Sequence, residues 1–139
     1  MLQVLKNWRW LSRSQWLSRS ELMSIQAEKL RAMVRHAYGS TLFYRKLYGP
    51  NPPRVETTKD IKTLPILTKE HLRSVPLEER AATGIDLRKC VKKTTSGTSG
   101  VPVAVLDDPA TAAYLEGMYL RRMWSYGVRP WHKIARVVS

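Results

Sequence analysis

Met23, Ala27, Leu30, Val34 and Ala37 recur at intervals of four, three, four and three, the spacing that lines apolar side chains along one face of an α-helix. Ser18 and Glu21 mark the start of this helix. They stand three apart, as a capping box requires, so hydroxyl and carboxylate each satisfy an otherwise unpaired amide. Gly39 supplies a natural C-terminal stop, and the apolar face is expected to be buried. Leu42, Phe43, Tyr44, Leu47 and Tyr48 then predict a short aromatic helix. Gly49 and the prolines at 50, 52 and 53 end it, because a proline has no amide with which to continue.

From Thr58 to Leu77 the pattern predicts short helical turns broken by Pro65 and Pro76, with Thr58 and Thr68 as caps. β-Branched residues then accumulate, predicting strands at Lys89–Thr95 and Val101–Leu106 around a Ser/Thr/Gly loop. Asp108 before Pro109 has the order of a cap followed by proline at the first helical position. A helix is expected from there to about Tyr126, closed by Gly127. Lys133–Val138 reads as a further strand. The segments are thus a helical one (1–49), a proline-broken connector (50–88) and a strand, helix and strand portion (89–139). The fold class expected is mixed α/β, the helical segment packing on the start of a larger sheet.

The chain has 139 residues, 43% hydrophobic and 25% charged, which is one globular domain's worth and excludes disordered or collagen-like classes. The single cysteine, Cys90, forms no internal disulfide, and no Cys/His group has zinc-site spacing. A cytoplasmic location is the expectation, with peripheral membrane contact added by the charge. Lys and Arg number 24 against 11 Asp and Glu, a net +13, which calls for an anionic partner: nucleic acid, a membrane surface or a phosphorylated small molecule. No apolar run approaches the ~20 residues of a spanning helix. Residues 1–17 instead mix Trp8, Trp10 and Trp16 with Lys6, Arg9 and Arg13 and hold no acidic residue, a pattern that favours a surface over a core. Residues 1–49 carry nine Lys/Arg and two Asp/Glu. A basic module on an anionic membrane is therefore the alternative to an enzyme. Nucleic acid is the weaker form of that alternative, since no nucleic-acid motif accompanies the charge.

Thr94 to Pro102 is the stretch whose composition suggests a specific task. Gly97 and Gly100 permit positive φ and close approach of a ligand, while successive amides and the hydroxyls of Thr95, Ser96, Thr98 and Ser99 can donate to phosphate oxygens. The loop is not a Walker A loop, because the GxxxxGK[ST] spacing is absent. From composition alone, an ordinary Ser/Gly turn is an equal reading.

The order Thr95-Ser-Gly-Thr-Ser-Gly-Val-Pro102 resembles the phosphate-binding signature of adenylate-forming enzymes, the superfamily of acyl-CoA synthetases and luciferases. Three further stretches agree in order: Gln26-Ala-Glu-Lys-Leu-Arg31 with His36-Ala37, Phe43-Tyr-Arg-Lys-Leu-Tyr48, and Leu64-Pro-Ile-Leu-Thr-Lys-Glu70. Together they look like the phenylacetate-coenzyme A ligase branch, including relatives in capsular polysaccharide synthesis, and span essentially the whole chain. The resemblance implies a ligase that activates a carboxylic acid with ATP to an acyl-adenylate and then transfers it to coenzyme A, with Mg2+ as the metal. It also implies that Thr95, Ser96, Gly97, Thr98, Ser99 and Gly100 cradle the β- and γ-phosphates. Val101 departs from the pattern, since many members carry lysine there. Lys92 and Lys93 are the nearby cations that can supply charge, or else form a solvated strand edge.

The resemblance also implies an aromatic-Gly-x-Thr-Glu segment for adenine and metal, an aspartate for ribose and a late lysine, none of which is found. Tyr126-Gly127-Val128-Arg129-Pro130 lacks the threonine and glutamate and reads better as a cap and turn. The expectation is an N-terminal portion of a longer ligase, with no catalytic residue of its own and no activity alone. His36, His71 and His132 are far apart in sequence and fit structural roles. Cys90 is expected to pack, Asp108 to cap, and Tyr114, Met118, Tyr119, Met123 and Trp124 to form core or subunit contacts.

Overall fold

The computed structural model of the chain describes residues 1–95, 102–129 and 131–135. They are mostly helical, with one two-stranded antiparallel sheet. Two compact units emerge, one of residues 17–108 and one joining residues 1–16 to 109–139. These units cut across the segments read from the sequence.

In residues 17–108 the long helix α2 (Arg19–Ser40) begins as its sequence dictates. The Ser18 hydroxyl accepts from the Glu21 amide at 3.3 Å, and the Glu21 carboxylate accepts from the Ser18 amide at 2.8 Å. Those bonds hold the Glu21 carboxyl below its ordinary value, the side-chain bond from Ser18 first and its backbone bond second. Gly39 does not stop the helix, which runs through it to Ser40. The last carbonyls find partners elsewhere: Arg45 donates to Tyr38 and Gly39, and Thr83 donates to Ser40 through both its amide and its hydroxyl. With these carbonyls satisfied, no left-handed glycine is needed at this end. Thr41 ends α2 and caps α3 (Leu42–Tyr48) through its hydroxyl. Gly49 ends α3 at a φ of +87°, a conformation only glycine adopts at low cost.

Leu30 and Val34 of α2 are buried with Val55, and Tyr48 and Leu64 pack against them. The predicted apolar face is therefore buried only at its centre, because Met23 is nearly half exposed. Burial pushes the Tyr48 phenol up from its ordinary value, and Tyr44 adds to the shift. A short 3-10 helix (Thr58–Thr63) follows. Its start falls on Thr57 rather than Thr58: the Asp60 carboxylate accepts from the amides of Glu56 and Thr57, which lowers its pKa. Thr68 caps α4 (Lys69–Arg73) as expected, its hydroxyl accepting from the His71 amide. Then come α5 (Leu77–Arg80) and the hairpin of β1 (Val91–Thr94) and β2 (Ala104–Asp107). Each strand is shorter than the β-branched run that predicts it. Asp86 starts a 3-10 turn (Leu87–Lys89) by accepting from the Arg88 amide, so Lys89 is helical and not strand.

In the other unit α1 (Leu2–Ser14) packs on α6 (Pro109–Ser125). Gly117 is buried at the contact, and a Cβ there would lie 2.8 Å from the Asn7 Cβ and 3.1 Å from the Trp8 amide nitrogen. The absence of a side chain lets the helices approach. The Trp8 and Trp124 rings meet at a tilt of 60° with centroids 5.3 Å apart, so this tryptophan belongs to the packing face, whereas the sequence pattern favours a surface. Helix α6 ends as predicted. Val128 donates to Met123 and Gly127 to Trp124 with Gly127 at a φ of +76°, the pattern of a Schellman cap. Lys133–Ala135 adopt no regular structure, so the described part of the predicted Lys133–Val138 strand is not a strand. A run of apolar residues becomes a strand only with a ladder to receive its amides.

Candidate functional site

The hairpin places the candidate loop. Val91 pairs with Asp107, Lys92 with Leu106, Lys93 with Val105 and Thr94 with Ala104. One further rung closes the neck: the Thr95 amide donates to the Val103 carbonyl at 3.0 Å, and the Val103 amide donates to the Thr95 hydroxyl oxygen at 3.0 Å. Thr95 thus spends a lone pair on the scaffold and retains its hydroxyl hydrogen for an acceptor. Ser96, Gly97, Thr98, Ser99 and Gly100, the rest of the predicted phosphate cradle, lie outside the described residues, as does Val101.

Alternation along β1 separates its two lysines. Lys93 shares a face with Asp107 and forms an ion pair with it, so its charge is compensated within the hairpin. Lys92, exposed on the opposite face, is in no ion pair among the described residues. Of the two cations read from the sequence, Lys92 is the one left to act on a ligand.

Arg80 escaped the sequence reading altogether. It ends α5, is half-buried, and donates from Nη1 to the Ala104 carbonyl at 3.1 Å, tying the first residue of β2 to a segment 24 positions earlier. Beside this bond lies a cleft of about 330 Å3 lined by Leu72, Arg73, Val75, Arg80, Val103 and Ala104. Positive charge therefore flanks the base of the loop from outside the hairpin. Nothing local in the sequence marks Arg80, because its partner is a backbone carbonyl brought close only by folding.

The remaining candidates serve the scaffold. Cys90 is half-buried, with its thiol 3.6 Å from the Asp86 carbonyl. His71 and His132 each accept at Nδ1 from the amide three residues earlier, and His36 Nδ1 meets the Ser40 hydroxyl at 3.2 Å. The three histidines thus occupy separate local contacts. Among the described residues no group of three His, Cys, Asp or Glu side chains is placed to hold a metal ion, and no helix is long and apolar enough to cross a membrane. Chemically, the described part of the hairpin offers the Thr95 hydroxyl and the Lys92 ammonium, with Arg80 of α5 beside it, groups suited to an oxyanion. Comparison with protein-family models and with curated proteins gives no match.

Proposed function

We propose that this chain supplies the ATP phosphate-binding loop of a ligase that activates a carboxylic acid as its acyl-adenylate and passes the acyl group to coenzyme A. The observation that carries the reading is the Thr95-to-Pro102 signature set between β1 and β2, with its neck closed at Thr95 and Val103. The composition of the signature supports it, since glycine at positions 97 and 100 and hydroxyls at 95, 96, 98 and 99 are the residue types a phosphate-binding loop uses.

Thr95 fits the phosphate end, because its hydroxyl hydrogen remains available beside the neck. Arg80, fixed on Ala104, and the exposed Lys92 supply positive charge near the loop where Val101 brings none. Oriented donors of this kind stabilise the charge that accumulates on departing pyrophosphate. When bound, Mg2+ neutralises the phosphate oxygens in the complete ligase. Among the described residues no carboxylate cluster is placed to hold it.

Pyrophosphate and ATP binding, followed by phosphorus NMR or calorimetry, tests the reading. Gly97→Val is expected to weaken binding at least about tenfold, because a β-branched side chain penalises positive φ and blocks the backbone. Cys90→Ala, which alters only packing, is expected to leave it unchanged. Equal affinities for the two variants would remove the phosphate role.

A further inference from the structure

All five tryptophans of the chain, Trp8, Trp10, Trp16, Trp124 and Trp131, fall in the unit formed by residues 1–16 and 109–139. That unit carries eight Lys/Arg and a single acidic residue, Glu116. Its aromatic content and its charge are therefore concentrated together.

Helical geometry sorts the residues of α1. Val4, Trp8 and Leu11 lie on the side that meets α6, at 100° per residue, and are partly buried. Leu2, Leu5, Lys6, Arg9 and Arg13 lie on the opposite side and are exposed, and Trp16, in the turn that follows α1, is 83% exposed. This outer face alternates large apolar side chains with cations and contains no acid. Leu5 also borders a groove of about 200 Å3 with almost wholly apolar walls, among them Trp8, Met123, Trp124 and Val128. At its edge the Arg129 guanidinium sits 4.2 Å from the centre of the Trp124 ring.

We propose that the outer face of α1 and this groove dock on an anionic lipid bilayer. A protein partner with acidic side chains would satisfy the cations but leave the interleaved Leu2, Leu5 and Trp16 in water. A bilayer surface answers both at the same spacing. Tryptophan settles at the headgroup level, leucines reach the acyl boundary, and the cations meet lipid phosphates. The groove then receives apolar chain or glycerol backbone beside Leu5, with Arg129 held over Trp124 at headgroup depth.

Flotation with vesicles of phosphatidylcholine, alone or mixed with phosphatidylglycerol, tests the proposal on the intact chain. Binding is expected to the mixed vesicles, with a blue shift of tryptophan emission that Trp16→Ala diminishes. Replacing both cations in Arg9→Gln/Arg13→Gln is expected to weaken it about thirtyfold, roughly fivefold per cation near the surface. The matched variant Arg31→Gln/Arg35→Gln removes the same charge from exposed positions of α2 and is expected to leave binding unchanged. Equal losses from the two double variants would mean attraction by net charge alone and would overturn the proposal. So would equal binding to neutral vesicles, absence of binding to either, tighter binding to a polyanionic RNA, or a dimer in sedimentation whose outer α1 face is covered without lipid.

Discussion

The two compact units solve the problem of stability in different ways. In residues 17–108 lie the buried hydrophobic residues of the described chain, Leu30, Val34, Phe43, Val55 and Val103, together with ten of its eleven acidic residues. Ion pairs such as Lys46–Glu79, Arg54–Glu56 and Lys93–Asp107 fall there too. The other unit holds every tryptophan, and among its described residues no apolar side chain is buried and Gly117 is the one buried residue. Its helices meet by backbone approach and half-buried rings. Such a contact leaves much apolar surface outside, Leu2, Trp16 and Trp131 among it, so richness in large hydrophobic residues does not here make a buried core.

The largest expected effect attacks that approach directly. Gly117→Val adds atoms where even a Cβ meets Asn7 at 2.8 Å and the Trp8 backbone at 3.1 Å. Both neighbours are part of the helix and not flexible side-chain ends, so the helices must part, at a cost of about 3 kcal/mol, the upper end of overpacking effects. Because every tryptophan lies in this unit, thermal unfolding followed by tryptophan emission reports it selectively, and the transition is expected to fall by several degrees. An unmoved transition would show that the close approach contributes nothing.

Val34→Ala strikes the other unit. It deletes two methyl groups from a side chain only 3% exposed, at an expected cost of about 2 kcal/mol. The loss should appear in helical circular dichroism and in amide exchange along α2, and leave tryptophan emission in place. Should both probes move together in both variants, the distinction between the units breaks down energetically.

What the sequence reveals depends on how local the cause is. Ser18 and Glu21, the Thr68 cap, the stop at Gly49 and the Schellman turn at Gly127 each rest on residues within one or two turns of each other, and all are legible in advance. Gly39 misleads because its carbonyl is satisfied by Arg45, folded back from α3, and that of Ser40 by Thr83, 43 positions on, which the sequence does not bring near. The described part of the strand expected at Lys133–Val138, residues 133–135, departs from it for the matching reason: β-propensity is visible locally but a pairing partner is not. Gly117 gives only the faint signal of a lone glycine inside a helical pattern. At the site, the hairpin itself is legible in the two β-branched runs but its register is not, and the bond from Arg80 to Ala104 follows from the fold alone.

A smaller effect is expected at the start of α2. Ser18→Ala removes the hydroxyl that accepts from the Glu21 amide, at about 1 kcal/mol. Part of this cap depends on pH. Since the folded-state pKa of Glu21 is depressed, its contribution is present above the ordinary carboxylate value of about 4.3 and is lost as pH falls through the lower folded value. Denaturant titrations at neutral and strongly acidic pH are expected to show Ser18→Ala and Glu21→Gln losing less relative to the parent chain in acid. A penalty that stays constant across this range would place the cap's worth outside the carboxylate.

The smallest effect concerns salt, and it should carry opposite signs in the two units. Lys93→Met removes the hairpin's ion pair. Lys93 is about half exposed, so water already screens much of the attraction, while the better-covered Asp107 carboxylate loses its partner. The net cost is about 0.5 kcal/mol in dilute buffer and fades toward zero near 1 M salt, where screening acts within roughly 3 Å. In the tryptophan-bearing unit eight cations face one carboxylate, so screening chiefly relieves repulsion. Its emission-monitored transition is therefore expected to rise slightly with salt in the parent chain and in Lys93→Met alike, while the hairpin's amide exchange quickens with salt only where Lys93 is present. A fall in both readouts would mean that attractive pairs, and not the excess of one sign, dominate the tryptophan-bearing unit as well.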